Sequence, residues 1–304
     1  MEKTKQLVLA FEDSQLEKAK QAFDLLDVSE ATRSDYKQRI GLFLDFIRER
    51  GFTRNSFLDF KRALAERTDI SVATKNKYLA TARIFLKEAN RLGELPADIT
   101  QNIKTFSQSK KHKRDGLNDA EIQKLTDAMR GLEDTPTNTR LKAILSLLAF
   151  QGLRQVEVIR LDVKDIDFVS KTALIQGKGQ DDKEPIHLHP ETIKALREYL
   201  KTNKKASGAL FTSQSNNSKD QRLTTRAIRG LVKETLTALG IDKTTHGFRH
   251  YFTTTLIKTY KGDLLEVAQY TRHKSLEMLQ VYNDNIKRQA DLPRFYEAFS
   301  GVSF

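Results

Sequence analysis

The chain has no cysteine among its 304 residues, which excludes disulfides, cysteine-ligated zinc and thiol catalysis together. It has no apolar run near the ~20 residues that a membrane-spanning helix requires. Its N-terminus, Met1-Glu2-Lys3-Thr4-Lys5, leads into acid-containing sequence without the apolar core of a signal peptide. The six histidines are scattered, and none shares metal-ligand spacing with carboxylates. We therefore expect a soluble cytoplasmic protein with no membrane partner, no metal and no cofactor.

Positive charge is what the chain has in excess. Lys and Arg total 52 against 40 Asp and Glu, a formal net charge of +12. Such a surplus suits a polyanionic partner, because neutralised phosphates release condensed counterions. Charge alone is equally compatible with an inert basic surface. The length allows two domains, each burying its own core.

The first third reads as helices. One is expected from Phe11 to Leu26, with Leu16, Ala19, Phe23 and Leu26 in one stripe. Ser29 can cap a second, whose apolar face is Tyr36, Ile40, Phe43, Leu44 and Ile47 and which Gly51 closes. Phe57, Phe60 and Leu64 mark a third, and a fourth runs from Ser71 to about Leu92. The fourth also carries Lys75, Lys77, Arg83 and Lys87, either a solvated face or one turned to a nucleic-acid backbone. Residues 1–104 thus read as a helical domain. From 105 to 116, TFSQSKKHKRDG has no apolar period and contains Lys110, Lys111, Lys113 and Arg114. It reads as a basic interdomain linker.

The second domain, 117–304, begins with a helix to Met129 capped by Asn118 or Asp119. Leu141 to Phe150 is apolar nearly all round, as a core helix is. Gly152 allows a turn into a short helix, and Arg154 at that turn must find an anion or several acceptors. Ile166 to Phe168, Thr172 to Ile175 and Pro185 to Leu188 read as short strands, placing Lys178 at a hairpin end between Gly177 and Gly179. Further helices are expected over Pro190–Leu200, Thr224–Leu239, Phe252–Tyr260, Leu264–Tyr270 and Leu276–Tyr282. Leu292, Phe295, Tyr296 and Phe299 share one helical face, so a separate tail helix is expected from about residue 291. The fold class is mostly α with a small β-sheet.

The order Arg154, Lys178, His246-x-x-Arg249, His273 and Tyr282 resembles that of the tyrosine recombinases, the lambda-integrase, Cre and Xer group. GLRQVEVIRL resembles the family's first arginine box, with Glu157 as its acid. GKG resembles its lysine hairpin, HGFRH its His-x-x-Arg-His box, and RHKSLEMLQVY its last histidine followed nine residues later by tyrosine. The chain departs from the family pattern in two places. Thr271-Arg272-His273 stands where Leu-Gly-His is frequent, and Lys183-Glu184-Pro185 lacks an arginine often found after the lysine, which makes Lys183 an alternative to Lys178.

The resemblance implies a helical, SAM-like core-binding domain and a mixed α/β catalytic domain that form a C-shaped DNA clamp. It implies a site-specific recombinase, Xer-like in having no obvious domain before Phe11. Its expected partners are a specific double-stranded DNA site and further copies of itself, four in the synaptic complex. Integration or excision of mobile elements, dimer resolution and inversion are the tasks such enzymes perform, on the nucleoid. The rivals are a type IB topoisomerase-like relaxing enzyme and a non-catalytic DNA-binding protein of the same fold.

The residue types fit the chemistry. Attack on a phosphodiester builds charge on the non-bridging oxygens, and Arg154 and Arg249 offer donor forks that stay charged. Tyr282, with an ordinary pKa near 10, is the candidate nucleophile and His246 its base or proton relay. His273 is expected to hydrogen-bond the scissile phosphate, and Lys178 to protonate the leaving 5′ oxygen. The product would be a 3′-phosphotyrosine, reached without ATP. His250 reads as a packing histidine and Glu157 as the residue that orients Arg154. The tail either packs on its own domain or, as the resemblance implies, docks into a neighbouring protomer.

Overall fold

Helix boundaries in the first unit follow their caps. The Ser29 hydroxyl accepts from the Thr32 amide (3.3 Å) and starts α1, Glu30–Arg50. Gly51, at φ +76°, ends it in a conformation that costs glycine little. α2 is Ser56–Glu66, and α3, Val72–Arg91, is capped by Ser71. The computed structural model describes residues 21–108, 116–177, 179–273, 275–298 and 300–301. The chain divides into two units, Met1–Ser109 and Lys110–Phe304.

The core of the first unit is aromatic. Phe43 meets Phe60 edge-on at 5.0 Å and Phe85 at 6.4 Å, and all three are buried. The helix expected across Phe11–Leu26 falls largely outside the described residues. Its described end is only a 3-10 turn, Ala22–Leu25, followed by an extended Leu26. Arg33 explains this, because its guanidinium donates to the carbonyls of Phe23 and Leu26 (3.1 Å each) and satisfies them without a helical turn.

Two of the four cations on α3 are committed within this unit. The Lys75 ammonium donates to the Ala65 carbonyl (2.9 Å) at the C-terminal end of α2, where a cation is favoured. Arg83 donates to the Ile103 carbonyl and lies over the Phe57 ring at 5.3 Å. Lys77 and Lys87 are exposed. Thr105 and Phe106 were expected in the linker, but Phe106 is pinned to this unit. Asn76 donates to its carbonyl (3.0 Å) and accepts from its amide (2.9 Å), while Lys61 and Lys75 approach its ring. Lys110, Lys111, Lys113 and Arg114 lie outside the described residues.

In the second unit Asn118 and Glu121 form a reciprocal capping box (2.8 and 2.9 Å) that opens α4, Asp119–Arg130. α5, Pro136–Phe150, is the core helix, with Ile144, Leu147 and Leu148 fully buried. α6, Gln155–Arg160, precedes an antiparallel sheet ordered β1 (Ile166–Asp167), β2 (Thr172–Gln176) and β3 (Lys183–His187). Pro185 sits on edge strand β3 opposite Leu174, where a missing N–H is tolerated. Then follow α7 (Pro190–Thr202), α8 (Thr225–Ala238), α9 (Thr245–Thr259), α10 (Leu264–Thr271) and α11 (Leu276–Glu297). This mostly helical architecture with one small sheet is the expected fold class.

The tail is not a helix of its own. α11 runs unbroken through Pro293, so the segment expected to start a new helix near 291 forms the last turns of the helix that carries Tyr282. Leu292, Phe295 and Tyr296 are exposed on it; Phe299 lies outside the described residues.

Asn76→Ala removes both bonds to Phe106. It is expected to cost about 1–3 kcal/mol of first-unit stability. Amide exchange at Phe106 should accelerate more than at Leu86 in the α3 core, and equal acceleration at both would refute the local tether.

Candidate active site

The second unit gathers its cations around the start of α9. Arg249 is 4 % exposed, and its guanidinium donates to the Gly152 carbonyl (2.7 Å) and the Thr271 carbonyl (2.6 Å). Burial, then the charges of Arg154 and Arg272, push its pKa down to about 10, with Glu157 and Tyr282 opposing. It remains a cation at neutral pH. Gly152 stands at φ +58°, and a Cβ there would overlap the Phe252 ring of α9. The turn can therefore press its carbonyl onto Arg249 only as glycine.

Arg154 is the N-cap residue of α6. Its Nη1 donates to Glu157 Oε1 (2.7 Å), and its amide donates to Glu157 Oε2 (2.8 Å). Glu157 is 1 % exposed, and a second guanidinium, Arg272, reaches its Oε2 at 3.2 Å. Arg272 follows α10 in the left-handed region, at φ +55°. Burial lowers its pKa, with Glu157 and Glu184 acting the other way.

His273 comes next, with Nδ1 2.7 Å from the Thr271 hydroxyl. Burial lowers its pKa to about 4, helped by Arg249, Arg154, Arg272 and His246. The imidazole is thus neutral at physiological pH. His246 is exposed on the first turn of α9. Tyr282 is 4 % exposed and packs with Ile257, Val267 and Leu279. Its ring lies 4.8 Å from that of His250 and 6.4 Å from that of His273. Burial raises the phenol pKa, and the Arg249 charge pulls against the rise.

Five of the six expected residues, Arg154, His246, Arg249, His273 and Tyr282, thus belong to one neighbourhood. Lys178 lies outside the described residues, but its hairpin is anchored by Arg160, which donates to the Gly177 carbonyl (3.0 Å). The alternative, Lys183, has its ammonium on both oxygens of buried Asp165 (2.6 Å each). Sequence reasoning missed Arg272 as a member of the cluster. It read His250 as a packing residue, and His250 does pack, between Tyr282 and Gly116, where a Cβ would overlap its ring.

The phage integrase family matches residues 116–289. The chain belongs to that family. The chain is 27 % identical over 221 residues to a tyrosine recombinase of Synechocystis, covering 71 % of this chain and 70 % of that one. Tyrosine recombinase XerD of Corynebacterium glutamicum is 26 % identical over 273 residues, covering 84 % and 88 %. In fold the chain is similar to the XerH site-specific recombinase bound to palindromic difH substrate in a post-cleavage complex. That similarity has a TM-score of 0.72 at 23 % identity and covers 93 % of this chain and 84 % of the other. The chain is a site-specific tyrosine recombinase, an enzyme that acts on DNA.

The His273 shift has a consequence for stability. Its native pKa near 4 lies below the ordinary 6.5 of the unfolded chain, so between these values the unfolded state binds the extra proton. The associated stability is fully present above about pH 6.5 and is lost as pH falls through about 4. His273→Gln is therefore expected to lose less Tm than wild type between pH 7 and pH 4.5. Parallel Tm curves would contradict the assignment.

Proposed function

We propose that this chain cleaves one strand of a specific duplex site through Tyr282. The observation that carries the reading is the convergence of Arg154, Arg249 and His273 with Tyr282 in one unit, with the Arg249 charge acting on both the imidazole and the phenol. Arg154 and Arg249 hold the non-bridging oxygens and stabilise the charge that grows on them in the transition state. A neutral His273 hydrogen-bonds the same phosphate. The Tyr282 oxygen forms a bond to phosphorus as the bond from phosphorus to the 5′ oxygen breaks. The phenolic proton passes to His246, and Lys178 gives a proton to the departing oxygen.

A 3′-phosphotyrosine and a free 5′ hydroxyl result, and attack by a second strand's hydroxyl reverses the step with a new partner. Burial raises the Tyr282 pKa, so the phenol needs this base at neutral pH. Lys77 and Lys87, exposed on α3, together with Lys110, Lys111, Lys113 and Arg114, supply sequence-independent contacts to the backbone. Lys75 and Arg83 shape the unit that presents them. Four copies on two sites complete the exchange.

The test is a covalent trap with nicked suicide duplexes made from the flanking DNA of its gene. A DNA-linked peptide is expected to map to Tyr282, and Tyr282→Phe is expected to bind the duplex without forming the adduct. Specific binding with no adduct, and supercoiled plasmid left unrelaxed, would identify a non-catalytic binder. Relaxation without site preference would identify a topoisomerase-like enzyme.

Assembly is tested separately. The exposed end of α11 carries Leu292, Phe295 and Tyr296, so removing Asp291 to Phe304 is expected to spare duplex binding and weaken its cooperativity. Unchanged cooperativity in a gel-shift titration would assign the tail to its own protomer alone.

A further inference from the structure

Arg272 stands in a backbone conformation that an L residue adopts only at a cost. It occupies a position where the resembled pattern has glycine. A retained side chain there calls for a compensating contact. That contact is Glu157. The carboxylate is almost wholly buried and accepts two guanidiniums, Arg154 on Oε1 and Arg272 on Oε2.

The two cations are not equivalent. The Arg154 side chain is 37 % exposed, and among the described residues its only side-chain bond is to Glu157. The Arg272 side chain is 10 % exposed; beyond Glu157 it donates to the Tyr270 carbonyl (3.3 Å), and its Nε forms an ion pair with the Glu184 carboxylate at 3.6 Å, without a hydrogen bond. Glu184 belongs to the segment that lacks the family's usual arginine, so the two departures from the family pattern meet in space. Of the two guanidiniums, Arg154 is the one free to turn outward.

We propose that Arg272 is a positioning residue that keeps Glu157 neutralised when Arg154 leaves it for the scissile phosphate. With one guanidinium only, that movement would strand a buried carboxylate, a state that proteins avoid strongly. With Arg272 in place the carboxylate keeps a partner throughout, and Arg154 can exchange one anion for another. Arg272 acts through Glu157 and Arg154 and does not touch the reacting atoms. The inference rests on the strand-cleavage reading given above.

A double-mutant cycle on the full chain tests it, read as the single-turnover rate of adduct formation on the suicide duplex, with Tm recorded for every variant. Arg272→Gly suits the left-handed backbone and is expected to slow cleavage about 10- to 100-fold, within the range of coupled neighbours. Glu157→Gln keeps an acceptor of the same size but removes the charge that needs neutralising. In that background Arg272→Gly is expected to cost less than about threefold. Arg272→Lys, which keeps the charge, is expected to fall between wild type and Arg272→Gly.

Equal losses in both backgrounds, as a purely structural or direct phosphate-contact role would produce, overturn the inference. So does an Arg272→Gly protein that cleaves at the wild-type rate. A wild-type chain that forms no adduct overturns the strand-cleavage reading and this inference with it, whereas an active wild type with additive losses overturns this inference alone.

Discussion

A guanidinium buried away from water needs acceptors, and Arg249 finds them in two backbone carbonyls rather than in a carboxylate. That choice organises the second unit. The Gly152 carbonyl belongs to the turn that launches Arg154, and the Thr271 carbonyl to the end of the helix that launches Arg272 and His273. One side chain on α9 therefore draws together segments some hundred residues apart in sequence. Carbonyls satisfy the donors without cancelling the charge, so the cation keeps its attraction for an anion that arrives later.

The other electrostatic features follow from this surplus. Arg154, Arg249 and Arg272 surround a single buried carboxylate, Glu157, and the three positive charges act on one another and on His273. Burial first and the neighbouring guanidiniums second lower the pKa of Arg249 and of His273, whereas at Arg272 burial is opposed by Glu157 and Glu184. An anion placed among them would offset the like-charge effect at Arg249 and His273. The repulsion among these cations favours an anion in their midst.

Much of this was legible in the sequence, for identifiable reasons. Helix starts announced themselves through Ser29, Ser71 and the Asn118–Glu121 pair, because capping is local chemistry. The order of Arg154, His246, Arg249, His273 and Tyr282 was readable because those residue types are scarce in that arrangement. What escaped depends on tertiary contact. Nothing local says that Arg83 bonds the Ile103 carbonyl, or that Phe106 closes onto Asn76. Arg272 read as a substitution for glycine, and only its positive φ and inward side chain reveal a member of the charge cluster. The unbroken helix through Pro293 was hidden because the periodicity of Leu292, Phe295 and Tyr296 fits a new helix as well as a continued one.

The distribution of apolar packing completes the account. Tyr282 does not sit in the main core of its unit, to which Phe248, Leu153 and Val158 belong, but in a small cluster with Ile257, Val267 and Leu279. α9 contributes to both, through Phe248 near its start and Ile257 near its end. Arg154 and Arg249 adjoin the larger core next to Leu153 and Phe248, and the phenol lies in the smaller one. Among the described residues, what joins the two sides near the site includes polar bonds from Arg249 to Thr271 and from Arg272 to Glu157. Polar bonds of this kind permit small adjustments that a continuous apolar core would resist at close-packed density. Close packing on either side of a polar seam thus holds a buried tyrosine and a set of cations in register.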